Sequence, residues 1–232
     1  MQNFLLPIWI LLLFFFHCTP EIYKENDSQF ILISSEEGKT KKFPPKSESI
    51  GFEPTFTPNL RELFIFPQLK SLEITSPKLT SLERLPEFPN LQFLNLRGTS
   101  ITQLKTLQRY PHLHTLILSE VKDANWKDIG TLKELTRLKL NHSSIKDLVF
   151  LKDLKELRHL DIRFTEVSSL EPLLSCKKLI DLQIGNTSIT DITPLFGLKE
   201  LTHFEFDNTK LNKEQVSQLR KKNPYVKLVT RL

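Results

Sequence analysis

Apolar and polar positions along this chain repeat every 22 residues. Leu69, Leu91, Leu113, Leu135, Leu157, Leu179 and Leu201 each open a segment whose fourth and sixth positions are also apolar. These segments read LKSLEITS, LQFLNLRG, LHTLILSE, LTRLKLNH, LRHLDIRF, LIDLQIGN and LTHFEFDN. Their alternation has the period of a strand, with the leucines inward and the intervening side chains outward. After each segment apolar residues fall three apart, as at Ile101, Leu104, Leu107 and Tyr110, or at Val167, Leu170, Leu173 and Cys176. That spacing predicts a 3₁₀-like or loosely helical return. One such unit cannot bury its apolar face alone, so the units must stack and share a continuous core.

The period runs through six full repeats without an insertion or deletion, followed by a terminal half repeat. Counting back 22 residues from Leu72, Ile74, Leu82, Leu85 and Phe88 reaches Ile50, Phe52, Leu60, Leu63 and Phe66, so a degenerate first repeat starts near Ser47. Eight strands at ~4.8 Å spacing make a face roughly 35 Å across. Both ends need caps, because a terminal repeat would otherwise expose an apolar face. At the C-terminal end Asn212 is a candidate N-cap, with Gln215 three residues later as a variant capping box. A short helix is expected through about Lys221, with Val216 and Leu219 on one face. Asn223-Pro224 stops it, and Tyr225 to Val229 reads as an edge strand. At the N-terminal end Phe30 to Ile33 is strand-like, Glu37-Gly38 suggests a turn, and Lys39 to Ser49 reads as a polar linker.

These segments resemble leucine-rich repeats, most closely the 22-residue class of bacterial internalins and of a eukaryotic phosphatase-regulatory subunit. The resemblance covers residues 47–211. It implies an α/β solenoid: a leucine-rich-repeat horseshoe with a parallel concave β-sheet, short 3₁₀ or helical convex segments and a C-terminal helical cap over residues 212–232. The family places Asn after LxxLxLxx. Here Thr99, Thr165, Thr187 and Thr209 stand there, with Ser143, Val121 and Pro77 in the others, so a continuous Asn ladder is absent. A hydroxyl at that position still bonds locally. In the third repeat Asp123 replaces the inward aliphatic residue and Trp126 replaces a Leu, which predicts a local bulge.

Residues Phe4 to Phe16 form an unbroken apolar run, FLLPIWILLLFFF. A membrane-spanning helix needs roughly 20 apolar residues, so the run fits the h-region of a secretory signal. It ends at His17-Cys18, which resembles a bacterial lipoprotein lipobox. His17 stands where that family prefers Gly, Ala or Ser, Phe15 where it prefers Leu, and the leading MQN carries no Lys or Arg. The resemblance implies a signal peptide over residues 1–17, lipidation of Cys18, and residues 18–46 as tether and N-terminal cap. Simple cleavage with secretion, or an uncleaved short anchor, are the alternatives. The other cysteine, Cys176, falls on a core position of the repeat and reads as a small buried hydrophobe.

Composition changes this picture little. Of 232 residues 39% are hydrophobic and 25% charged, which is ordinary globular usage. The net charge of +5 is spread along the chain. Its basic residues form no single stripe, so no nucleic-acid partner is expected. Only 6 glycines are present and no phosphate-binding glycine motif occurs.

Function must then lie on the outward strand positions. Arg97, Arg137, Lys139 and Arg163 form a basic central stretch. Asp161, Asp181, Glu205 and Asp207 make the C-terminal strands acidic. Phe93 and Ile117 are apolar and expected to be exposed towards the N-terminal half. Exposed aromatic and Arg residues are typical interface anchors. His159 with Asp161, and His203 with Glu205, read as surface ion pairs rather than a hydrolytic pair. His142, His159 and His203 lack zinc spacing. Convex pairs such as Lys133-Glu134, Lys155-Glu156 and Lys199-Glu200 read as a solvated face. The expectation is a non-enzymatic module with no cofactor, metal or small-molecule substrate. It binds a protein through Phe93, Arg97, Ile117, Arg137, Lys139, His159, Asp161, Arg163, Asp181, Glu205 and Asp207, and is lipid-anchored in a bacterial envelope. The alternative is a periplasmic structural protein that associates with itself through the same face.

Overall fold

The computed structural model describes residues 21–25 and 28–230. Cys18 and the apolar run before it lie outside the described residues.

A three-stranded antiparallel sheet opens the chain: β1 (Glu21–Glu25), β2 (Ser28–Ser34) and β3 (Thr40–Phe43), in that order. A nine-stranded parallel sheet follows. Its strands run in chain order, from β4 (Ser49–Phe52), β5 (Ser71–Ile74), β6 (Phe93–Asn95) and β7 (Thr115–Ile117), through β8 (Arg137–Lys139), β9 (His159–Asp161), β10 (Asp181–Gln183) and β11 (His203–Glu205), to β12 (Lys227–Val229). From β4 to β11 each strand pairs with the next in the register of the 22-residue period, Leu94 beside Leu116 beside Leu138, for example. Between consecutive strands the chain returns on the convex side. Most returns hold a 3₁₀ turn, among them Leu60–Ile65, Lys105–Arg109, Trp126–Thr131 and Glu171–Ser175. Among the described residues no helix is long and apolar enough to cross a membrane.

The core is a set of columns, one residue per repeat. Leu69, Leu91, Leu113, Leu135, Leu157, Leu179 and Leu201 are fully buried, and so are Leu72, Leu94, Leu116, Leu138, Leu182 and Phe204 in the strands. Cys176 occupies its core position fully buried, with Sγ 3.4 Å from the Leu151 carbonyl oxygen, and burial pushes its thiol pKa up. Tyr110 fills the largest such position. Its hydroxyl donates to the Pro86 carbonyl at 2.8 Å, which satisfies the one polar group that burial would strand.

The threonines standing where leucine-rich repeats commonly have Asn make local bonds. Thr99, Thr165, Thr187 and Thr209 each donate Oγ1 to the carbonyl three residues earlier, at 2.6–2.8 Å. The first repeat departs from the expected alignment. Pro77 is exposed, and the buried hydroxyl is Ser76, bonded to Thr57 at 2.6 Å. The third repeat bulges as its sequence implies. Asp123 turns outward with φ 54°, its N–H donates to Ser144 Oγ, and Ala124 takes the buried place one residue later.

The reading of Lys39 to Ser49 as a linker is corrected by β3. Thr40–Phe43 pairs with β2, and Phe43 inserts edge-on against Phe52 and Phe66, at 5.3 and 6.2 Å between ring centroids. Phe52 stacks on Phe56. This aromatic plug covers the open end of the first repeat. The Glu62 carboxylate fastens it, accepting from the Ser34 N–H at 2.6 Å, the Ser34 hydroxyl at 2.5 Å and Asn59 Nδ2 at 3.0 Å. At the other end α1 (Lys213–Lys222) packs Leu219 and Val216 against the core. Asn212 caps it by accepting from the Glu214 N–H at 2.8 Å. The expected capping box is only half present, because the Gln215 amide reaches Asp191 instead. Asn223 ends the helix and donates to the carbonyls of Leu198 and Leu201.

Candidate functional site

The concave surface is three rows of side chains, set by the strand register. The first row runs Ser71, Phe93, Thr115, Arg137, His159, Asp181, His203, and the second Glu73, Asn95, Ile117, Lys139, Asp161, Gln183, Glu205. The residue two positions after each second-row residue supplies the third: Thr75, Arg97, Ser119, Asn141, Arg163, Gly185 and Asp207. All the expected binding residues within the described chain thus share one surface. Their environments differ sharply.

Arg163 closes off the acidic end. Its Nε and Nη2 grip both Asp161 oxygens at 2.9 and 2.8 Å, and Nη1 reaches across β10 to Glu205 Oε1 at 3.0 Å. Asp161 and Glu205 are therefore only 6% and 8% exposed, although their strand positions point outward. The two carboxylates hold the guanidinium pKa above its ordinary value, with Asp161 the larger cause. The expected pairs His159–Asp161 and His203–Glu205 do not form, because Arg163 takes both acids. His159 instead sits 3.7 Å from Asp181, whose carboxylate also faces the Gln183 amide. Burial, and next the neighbouring Arg137 charge, lower the His159 pKa, while Asp181 opposes them.

The central strands are open. Arg137 and Lys139 are exposed, and among the described residues neither meets a carboxylate within ion-pair distance. They border a shallow depression of about 200 Å³ that His159, Asp161, Asp181 and Gln183 complete. Phe93 and Ile117 are half-buried rather than fully exposed. Arg97 is not part of this open patch. It binds Glu120 Oε1 through Nε and Nη2, at 3.0 and 2.6 Å. On the convex side charges pair between neighbouring repeats, as in Lys178–Glu156 and Lys133–Asp153, not within the adjacent-residue pairs of the sequence.

A second feature escapes the outward-position argument. Gly98, Glu120, His142, Phe164, Asn186 and Asn208, each 22 apart, all have φ between 48° and 69°. This left-handed column turns the chain away from the sheet at its shoulder. Gly and Asn suit that conformation and His tolerates it, whereas Glu and Phe are strained in it. Phe164 is nonetheless 48% exposed and stacks on His142 with ring centroids 4.2 Å apart. Asn208 donates to Asn186 at 2.6 Å in the next two members. Gly98, Asn186 and Asn208, spaced in multiples of 22, were the available signal.

No protein-family model matches the chain, and no curated protein matches its sequence. Several solved structures do match it in shape. Internalin C2 from Listeria monocytogenes is similar with a TM-score of 0.65 at 22% identity, over 83% of this chain and 80% of that one. A leucine-rich-repeat protein of Leptospira interrogans gives 0.59 at 20% identity, over 73% of this chain and 56% of that one. A plant peptide hormone receptor in complex with RGF2 gives 0.57 at 16% identity, over 85% of this chain and 40% of that one. At such identities the likeness is one of fold: the chain is a leucine-rich-repeat solenoid.

Proposed function

We propose that this chain is a non-enzymatic protein-binding module that receives its partner on the concave face and is held at a bacterial envelope by a lipid on Cys18. The observation that supports it is the open patch of β6–β8, where Phe93 and Ile117 lie one to two strands from two cations that have no carboxylate partner among the described residues. Aromatic and Arg side chains with no structural duty are what an interface uses as anchors. The fold adds a reason. A parallel sheet on a solenoid offers a broad, rigid surface whose side chains vary without disturbing the core. The solved peptide hormone receptor in complex with RGF2 is a case of a leucine-rich-repeat-like chain with a bound partner.

Two measurements test the proposal. Mass spectrometry of the mature N-terminus should find an acylated Cys18. An unmodified N-terminus beginning after residue 17 would replace the anchor with secretion. Affinity capture on residues 19–232 should retain a protein that the double variant Arg137→Glu/Lys139→Glu loses and the convex variant Lys199→Glu keeps. A salt-insensitive oligomer of the chain itself by light scattering, abolished by the same double variant, would replace the foreign partner with self-association.

A further inference from the structure

We infer that the concave face is built for an acidic segment of a partner protein: one carboxylate seated between Arg137 and Lys139, with an apolar side chain lying towards Phe93 and Ile117. The inference rests on the concave-face reading above and gives it a chemistry.

The first argument is charge accounting. Of the cations expected on the concave face, Arg163 is held by Asp161 and Glu205, and Arg97 is held by Glu120. Arg137 and Lys139 remain without a carboxylate among the described residues. The acids that could have served them are engaged. Asp161 gives both oxygens to Arg163, and Asp181 faces His159 and Gln183. One sheet thus holds an internally paired acidic network on β9–β11 and an unpaired basic pair on β8.

Geometry narrows the ligand. Arg137 and Lys139 are the two outward residues of β8, on the same face of one strand. Lys139 is one strand from Ile117 in the second row, and Arg137 is two strands from Phe93 in the first. At ~4.8 Å per strand, the apolar contacts lie about 5 and 10 Å from the cations. That is the separation of neighbouring side chains on an extended peptide. The depression of about 200 Å³ beside the pair admits one acidic side chain. A guanidinium offers it a two-pronged, charge-assisted hydrogen bond.

The depression also disfavours a polyanion. Asp161 and Asp181 also line it. Arg163 neutralises the first, but Asp181 faces the His159 ring and the Gln183 amide, so a further phosphate passing the cations would meet its carboxylate. Nucleic-acid binding needs a track of cations, and on the outward positions of β9 to β11 the one arginine, Arg163, is already held by Asp161 and Glu205. A single carboxylate meets the attraction and stops short of the repulsion.

The test is a random-peptide display selection on the full chain, with a labelled single-stranded oligonucleotide as the second probe. Selected peptides should carry an Asp or Glu one or two residues from an apolar side chain. They should lose affinity about 30-fold or more for Arg137→Gln/Lys139→Gln, less for Ile117→Thr, and not at all for Lys199→Gln. Thermal melts of the Arg137/Lys139 variant should match the parent, since neither cation has an ion-pair partner among the described residues. Peptides without acidic residues, lost with Phe93→Ser/Ile117→Thr but kept by the Arg137/Lys139 variant, would overturn the acidic chemistry and leave the concave face standing. Peptides indifferent to every concave variant would overturn both. An oligonucleotide that binds more tightly than any peptide, or a selection that enriches nothing, would also overturn the inference.

Discussion

Strands β6–β8 and strands β9–β11 stand on the same leucine core and finish their concave faces in opposite ways. The first set presents Phe93, Ile117, Arg137 and Lys139, none of which is consumed by an ion pair within the described chain. The second presents more charge, but turned on itself, with Arg163 bridging Asp161 to Glu205 and His159 facing Asp181. Position in the register therefore says where a charge sits, and its neighbours two strands away say whether it is available. Acidic residues that look like half of a bipolar binding surface are, in this chain, part of the scaffold.

The comparison fails at once if the two halves differ underneath. Leu138 in β8 and Leu182 in β10 are both fully buried in the same column. Leu138→Ala and Leu182→Ala should each cost about 2–5 kcal/mol, by equal amounts within error in urea unfolding. A clear inequality would mean that core packing, not surface chemistry, separates the halves.

The next effect separates them directly. Arg163→Met leaves two nearly buried carboxylates without their cation. Breaking a fully buried pair costs roughly 3–5 kcal/mol, but the Arg163 side chain is 30% exposed and water screens part of the loss. About 2–3 kcal/mol is expected. Arg137→Met, one strand towards the N-terminal end on the same face, should stay within about 0.5 kcal/mol of the parent. Equal costs for the two would erase the distinction between a structural and an available arginine.

How much of this was legible differs from feature to feature. The leucine register was fully readable, because a strand slipped by one residue would bury Lys139 and expose Leu138, a penalty no side chain here offsets. The bulge at Asp123 and the Asn212 cap followed from local chemistry. The Phe43 strand did not, because Lys-rich flanks hide it, and what draws it in is the pairing with β2 and the Phe52 and Phe66 rings brought alongside by folding. Nor did the Arg163 bridge. Glu205 lies 42 residues away, and the choice of Arg163 over the adjacent His203 depends on side-chain reach across β10. The whole face could be listed from the sequence, but its division into open and closed halves could not.

The left-handed column runs across both halves. Its strained members Glu120 and Phe164 follow β7 and β9, one in each half, whereas Gly98, Asn186 and Asn208 follow β6, β10 and β11 without strain. Glu120→Asn should raise stability by up to about 1 kcal/mol, the backbone gain exceeding the exposed ion pair to Arg97 that it removes. Asn186→Val should lower it by about 1–2 kcal/mol. If thermal melts show no gain at Glu120, its backbone is not strained.

The smallest expected effect lies at the seam, where Arg137 of the open half acts on His159 of the closed one. Burial and then the Arg137 charge lower the His159 pKa from its ordinary value near 6.5, with Arg158 adding to them and Asp181 opposing. The folded chain thus takes up this proton less readily than the unfolded chain. Above pH 6.5 the group contributes nothing to the pH dependence. As pH falls through 6.5 the unfolded chain protonates first and the fold loses stability, until pH drops below the folded value and the loss levels off. Arg137→Gln removes the second largest of the lowering causes, so His159 should titrate at higher pH and the acid-side loss should shrink. The His159 ring-proton shift followed by NMR against pH reads this directly. A titration that Arg137→Gln leaves unmoved would mean that the seam carries no electrostatic coupling. A carboxylate seated at Arg137 should raise the same titration, because its charge offsets the guanidinium, so the probe that tests the seam also reports occupancy of the open half.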